Sequence, residues 1–542
     1  MTYAGRTRKA QRPRSPFRAS RTRDWGCVIE NRSTLVASAA VFGTAQQFGR
    51  SSHVLGVDVG SQSIKAVLLD PNGAHCASGS YALAMSHPHG GWAEQDPRDW
   101  YEGLRAVIAQ CLAEAGVAGT EVAVLCLACQ VDGVVPLALD GEALGPAIIW
   151  LDRRAHEQAN TMAQRVGTPR LFEITGLVPD ASHAGPKILW LRDHDAETFE
   201  RAAAFPPAAG YLLYRLTGRL ALDHANASSS LLYDVSKREW SHELLDTFDL
   251  GAHRLGEILG AGDVAGQLTS AAAEHLGLSV TCAVLVGTGD EHAASIGAGA
   301  IHSGMVTDVT GTAEPVTVAS STVVFDHDRL VETHAHAIGD AYLIENPGFV
   351  SGGSTLWFAR NVLRVSHDQF FELADAADPG ADGVLFVPAL SGSMTPTWNG
   401  HMRGVFAGLA MPHTSGTMAR AILEGCAYAL RDVTDRFESL GLGHDEIRVV
   451  GGGAASTTWM QIKADVTGRP VRRVLAAEAT ALGAALLAGI AAGIFANLDE
   501  AVGRAVVLAP DPFVPDEARQ ALYADAYTRY RALYRGVEEA LT

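Results

Sequence analysis

Two stretches about 250 residues apart share one layout. Residues 55–70, LGVDVGSQSIKAVLLD, run apolar to Asp58, turn through glycine and small polar residues, and run apolar again to Asp70-Pro71-Asn72-Gly73. Residues 308–312, DVTGT, repeat the order of DVGSQ at 58–62, again between apolar runs. A duplication of this kind points to two similar halves. Around each copy, strand-like and helix-like segments alternate. Asp96-Pro97 supplies an N-cap and a first-turn proline for a helix running toward Ala115. EVAVLCLAC reads as a buried strand, and Asp140-Gly141 as a hairpin turn. STTWMQIKADVTG and EATALGAALLAGIAAG read as helices, and the last 30 residues as an amphipathic one. Hairpins beside strand–helix units imply mixed sheets. The expectation is an α/β architecture with a boundary near residues 300–307.

Of 542 residues, 47% are hydrophobic and 19% charged, enough for more than one core. No apolar run is long enough to span a bilayer. The seven cysteines are scattered, which suits reduced thiols in a cytoplasmic protein. Cys126 and Cys129 form a CxxC, but on a strand positions three apart face opposite sides, and no second pair completes a zinc site. Residues 1–50 carry +8 and the whole chain −18, which leaves −26 for the remainder. An acidic body argues against a nucleic-acid partner. The Arg- and Ser-rich leader, residues 1–53, lacks a secretory h-region. It reads as a disordered tail, a transit peptide or an upstream extension, and is set apart from the fold.

Asp58 beside a glycine turn admits two readings: a hairpin with polar turn residues, or a loop that holds phosphate and a metal. On the second, Gly60 allows close backbone approach, and Ser61, Gln62 and Ser63 supply donors. Asp58 holds Mg²⁺ directly or through water, and Lys65 neutralises a transferring phosphoryl group. Thr310, Gly311 and Thr312 offer a matching set, so two facing hairpins would grip a polyphosphate from both sides. Gly452 and Gly453, between a strand and a helix, suit an anion or nucleotide at a helix N-terminus. The spacing GGGAAS is not GxGxxG, and arginines rather than an acid end the next strand, which argues against a dinucleotide site. In GTGDEHAAS, Asp290 is either an N-cap or a general base for a substrate hydroxyl. His292 reads as structural. HPHG at 87–90 and HAH at 334–336 lack the spacing of a metal site.

In this order between about residues 54 and 495, GVDVGSQSIKAVLLD, GGWAEQDPRDWYEGL, QVDGVVPLALDGEALGPAIIWLDRR, GTGDEHAASIGAGA, DVTGTAEPV and VVGGGAASTTWMQIKADVTGRPV resemble the FGGY carbohydrate kinases, most closely the xylulokinase-like members. The resemblance implies two actin-like (ribonuclease H-like) domains with mixed sheets flanked by helices and the active site in the interdomain cleft. It implies an N-terminal domain over 54–303, a C-terminal domain over 304–495 and a helical extension over 496–542. It also implies ATP and Mg²⁺, with Asp290 as catalytic base and Asp58 as the metal-associated aspartate. Lys65 falls on a basic position of the first phosphate loop, Thr310, Gly311 and Thr312 on the second loop, and Gly452, Gly453 and Gln461 in the nucleotide block. Gln130, Val131, Asp132 and Asp152 would face the substrate. Trp92 would stack on a sugar or anchor its loop. This chain departs from the pattern where Asp132 replaces a histidine, Leu151 an asparagine, and Glu291 the usual small polar residue. Glu291 is expected to point sideways, because helix neighbours do not share a face. The implied reaction is ATP-dependent phosphorylation of a pentulose such as D-xylulose, with a polyol or another ketose as the alternative. A catalytically inactive sugar sensor of the same fold is opposed by the joint presence of Asp58, Lys65 and Asp290. Sugar and ATP are the implied partners, with no nucleic acid or membrane; a homodimer is among the allowed assemblies.

Overall fold

A computed structural model describes residues 52–541 apart from residue 477, so nearly all of the basic leader lies outside the described residues. The first hairpin illustrates how the chain builds its layers. Strand His53–Val59 pairs antiparallel with Ser63–Leu69 and parallel with Val122–Cys129. Both faces of this sheet are covered. Leu55, Val57 and Val59 enter a core with Trp100, Leu104 and Ile108 of the helix Pro97–Ala115. Val54 points the other way, into a core with Ala481 and Ala485 of the helix Ala479–Ala491. The two-residue period therefore sends Gly56 and Asp58 to that second face. Cys126 and Cys129 part to the two cores, and all six described cysteines are free. Asp96 caps the helix Pro97–Ala115 by accepting the Arg98 N–H, and Gly116 ends it at φ 65°.

The first sheet runs in the order Val264–Gln267, Ala283–Leu285, Val122–Cys129, His53–Val59, Ser63–Leu69, His75–Ala82. The second runs Glu332–Ala335, Tyr342–Asn346, Val316–Ser320, Val306–Val309, Ile447–Val450, Val471–Arg473. In each sheet the strand bearing the motif aspartate has a hairpin partner on one side and a parallel partner on the other. The two copies of the motif thus occupy equivalent places. Helices inserted between residues 156 and 248 form a cap with its own core around Ile188, Phe205 and Phe248. The last helix, Glu517–Leu541, buries Tyr523, Tyr530 and Tyr534 against the second core.

One helix lies away from its place in the chain. Ala479–Ala491 falls within the span 304–495 expected of the second domain, yet it packs on the first sheet. Its surface of alanine and glycine explains this. A Cβ on Gly56 would stand 2.2 Å from the Ala481 carbonyl oxygen, one on Gly483 2.0 Å from that of Ala293, and one on Gly297 1.8 Å from that of Ala479. These glycines let the strand His53–Val59, the helix Asp290–Gly297 and the helix Ala479–Ala491 touch backbone to backbone.

Gly483→Val cannot be accommodated without moving the helix Asp290–Gly297. It should cost about 1–3 kcal/mol or more, read as a lowered midpoint in thermal denaturation. An unchanged midpoint would contradict this packing.

Candidate active site

Three parallel strand ends set the site. Val59 and Gly289 both lie opposite Cys129, so Gly60, Gln130 and Asp290 leave the sheet side by side. Carboxyl ends of parallel strands are where open α/β sheets place ligands. A cavity of about 250 Å³ opens there, walled by Ser61, Gln130, Val131, Asp132 and Asp290 from the first half and by Val309 and Ala313 beside the second loop.

Asp290 opens the helix Asp290–Gly297. Burial pushes its carboxyl up to about 7; backbone hydrogen bonds oppose the shift and Asp132 adds to it. Burial, then Asp290, raises Asp58 well above the usual carboxylate range. Asp58 Oδ1 is buried with no hydrogen-bond partner, as suits a single hard-oxygen ligand. Among the described residues no group of three or more His, Cys, Asp or Glu is spaced to hold a metal ion, so most ligands of a bound Mg²⁺ would be phosphate and water oxygens. Gln130 donates to Gln95 Oε1 at 2.9 Å, which leaves its own Oε1 buried and unpartnered at the cavity.

Around Asp132 the cap supplies residues that the sequence reading did not find. His183 Nδ1 lies 2.9 Å from the Ser229 carbonyl and Nε2 3.0 Å from that of Val178. Two carbonyl acceptors require two ring N–H donors, so His183 is an imidazolium. Burial works against that charge, but Asp132 at 3.4 Å and Glu332 at 3.8 Å prevail and raise it to about 9. Lys187, buried nearby, donates to the Asp132 carbonyl at 2.7 Å. Glu332, His334, Glu345, Trp150, Arg153 and Trp398 complete the walls. The only sequence signals for these were HAH at 334–336 and the arginine next to Asp152.

Several expected roles change. Glu291 does not point aside: it lines the same cavity as Asp290, which wraps around the first helical turn, and its carboxyl meets Glu345. Asp152 is fully buried, held by Arg154 and accepting the Ala93 N–H at 2.7 Å, and does not face the cavity. Trp92 carries the Arg154 guanidinium 3.5 Å from its ring centre and packs edge-on against Trp190, which makes it an anchor of its loop. The Lys65 ammonium lies 2.8 Å from Glu478 and so tethers the hairpin to the start of the helix Ala479–Ala491. Gln461 donates to Asp465 and to the Val514 carbonyl, holding the C-terminal segment. His292 is buried, as a structural histidine should be.

In the first loop Gly60 N–H donates to the Ser63 carbonyl at 3.1 Å, and Gln62 is exposed. The second loop rests on a buried ion cluster. Lys463 donates to Asp308 at 2.6 Å, to Thr310 Oγ1 at 2.6 Å and to Glu314 at 2.9 Å, and both ion pairs are fully buried. The Thr310 hydroxyl is thereby consumed, since it also donates to Asp308 at 2.9 Å. The Gly311 N–H is also engaged, donating to the carbonyls of Val309 at 2.9 Å and Ala313 at 3.1 Å, so the exposed Thr312 is what this loop offers a ligand. The glycine turn sits on this loop: Gly453 N–H donates to the Thr310 carbonyl at 3.1 Å, while a Cβ on Gly452 would meet open space.

Comparison with known proteins identifies the family. The N-terminal domain of the FGGY family of carbohydrate kinases matches residues 53–297, and the C-terminal domain of that family matches 309–492. The chain is 30% identical over 491 residues to the xylulose kinase of Staphylococcus epidermidis, covering 90% of this chain and 97% of that one. It is 33% identical over 454 residues to the glycerol kinase of Thermococcus kodakarensis, covering 82% and 90%. The crystal structure of xylulose kinase from Rhodospirillum rubrum superposes with a TM-score of 0.83 at 27% identity, over 90% of this chain and 99% of that one. The chain belongs to the FGGY family of carbohydrate kinases and is an ATP-dependent sugar kinase. Among the described residues no helix is long and apolar enough to cross a membrane.

Lys463→Met would leave two buried carboxylates without their cation. The expected loss is about 3–5 kcal/mol in urea denaturation. A loss below about 1 kcal/mol would contradict a cluster that supports the second loop.

Proposed function

We propose that this kinase transfers the γ-phosphoryl group of Mg-ATP to a hydroxyl of a pentulose such as D-xylulose, with Asp290 as general base. The observation that carries the reading is the convergence on one cavity of Asp290, Ser61 and the residues Val309 and Ala313 that flank the second loop. Asp290 takes the hydroxyl proton as the acceptor oxygen forms its bond to the γ-phosphorus. The bond between that phosphorus and the bridging oxygen breaks, and the electron pair leaves with ADP. The raised Asp290 suits the task, because a base titrating near the working pH is strong enough to take the proton and is still ionised. When bound, Mg²⁺ neutralises phosphate charge, and Asp58 would hold it directly or through water. Backbone donors of Ser61, Gln62 and Ser63 on one side and Thr312 on the other would cradle the phosphates, with Gly311 shaping the second loop, while Gly452 and Gly453 flank the nucleotide. Gln130 and Asp132 offer acceptors to the sugar hydroxyls. Residues of both halves wall the cavity, which supports exclusion of bulk water from the reacting centre. The free cysteines support a reducing compartment such as the cytoplasm. A polyol acceptor is the second reading, favoured by the 33% identity to a glycerol kinase.

Asp290→Asn should lower kcat by about 10²–10⁴-fold with ATP affinity unchanged by calorimetry. In the wild type, kcat/KM should fall as pH drops through about 7, where Asp290 gains its proton. Asp132→Asn should move that limb to lower pH, because it removes a charge that favours protonation. Retained turnover in Asp290→Asn, or a limb near about 4, would reject Asp290 as the base.

A further inference from the structure

The acceptor cavity is more acidic than transfer to a neutral alcohol requires. Besides Asp290, four carboxylates line it: Asp132, Glu291, Glu332 and Glu345. The cations beside them are already committed. Arg153 pairs with Asp180. Lys187 donates to the carbonyls of Asp132 and Ser182. His183 gives both N–H groups to carbonyls and offsets Asp132 and Glu332.

Glu291 and Glu345 are left facing each other within hydrogen-bond reach, burial first and neighbouring carboxylates second push both well above the ordinary carboxylate range, and among the described residues neither pairs with a lysine or arginine. His334 stands 3.8 Å from Glu345, too far for a hydrogen bond, and burial pushes it down to about 4, so it is neutral. Glu345 is only 2% exposed, and its Oε2 has no hydrogen-bond partner. A buried acceptor left without a donor is costly, and a second carboxylate beside it adds to the cost. A ligand carrying its own donors and positive charge would relieve both. A hydroxyl brings one proton and no charge. A metal ion is not matched, since no suitable group of three ligands is present among the described residues. An ammonium brings three donors and a full charge without demanding metal–ligand distances. Trp150 and Trp398 on the same walls add indole rings, whose faces attract alkylammonium groups.

We propose that the acceptor carries a protonated primary amine seated against Glu345 and Glu291, so that the substrate is an amino-deoxy polyol or amino-deoxy ketose of pentulose length. This rests on the reading of the cavity as the acceptor site of a kinase. Phosphorylation still occurs on a hydroxyl; the amine is a recognition group and keeps its protons.

The test uses the full chain with Mg-ATP and matched acceptors: D-xylulose against 1-amino-1-deoxy-D-xylulose, and xylitol against 1-amino-1-deoxyxylitol. ADP release is the readout, with Asp290→Asn as the blank. At least one amine should exceed its parent in kcat/KM by about tenfold or more, the worth of one charge-assisted hydrogen bond. Glu345→Gln should erase that advantage, with calorimetry showing weakened binding of the amine; Glu291→Gln serves if the first variant fails to fold. A parent preferred over its amine in both pairs, with turnover still dependent on Asp290, would overturn this inference and leave the kinase reading intact. No ADP release with any of the four acceptors would overturn both this inference and the pentulose or pentitol reading of the acceptor.

Discussion

The contact on which the rest depends is the one made without side chains. Gly56, Gly297 and Gly483 let the helix Ala479–Ala491 touch the strand His53–Val59 and the helix Asp290–Gly297 backbone to backbone. That strand carries Asp58 and that helix begins with Asp290, so one contact sets both carboxylates. The helix Ala479–Ala491 follows directly on Val471–Arg473 of the second sheet, and the Lys65–Glu478 pair fastens its start to the first hairpin. The second half therefore reaches into the first through this helix, whose Thr480 also lines the cavity at the strand ends.

The two copies of the motif have solved the same electrostatic problem in opposite ways. Both place an aspartate at the end of a hairpin strand flanked by a parallel neighbour. A carboxylate buried there without a counter-charge is costly. In the second copy Lys463 offsets Asp308 and Glu314 from within the protein, and the loop above is braced. In the first copy Asp58 keeps an unpartnered oxygen, and its own lysine is engaged with Glu478. The braced copy is a support; the open copy leaves a buried carboxylate oxygen without a partner at the mouth of the first loop.

The architecture was legible because it is written in local patterns. Apolar alternation, the Asp96-Pro97 start and the repeated aspartate-glycine turn each fix structure over a few residues, and their order matches the sheets found. Asp290 at its strand end was legible for the same reason, since a turn after a buried strand marks where a sheet opens, whereas Gln130 was reached only through the family resemblance. Legibility failed where burial decides. Asp152 and Arg153 are adjacent and equally polar, and only the fold sends Asp152 to Arg154 and Arg153 to the cavity. Lys463 sits within an apolar helix face that gives no hint of Asp308 beneath it. Glu332 and Glu345 lie on neighbouring strands in direct register, a pairing that no spacing in the sequence announces. The helix Ala479–Ala491 was recognised as a helix within the C-terminal span, but its packing on the first sheet was not, because alanine and glycine packing is specified by the partner's shape rather than by periodicity.

The central claim is that the cavity at the strand ends receives an alcohol that Asp290 prepares for attack on the γ-phosphorus. Phosphorus-31 NMR of the full chain with Mg-ATP and a saturating pentulose or amino-pentitol tests it most directly. The account predicts a new phosphomonoester resonance growing in step with ADP, with little inorganic phosphate. Inorganic phosphate appearing in its place, at the same rate with and without acceptor, would contradict it.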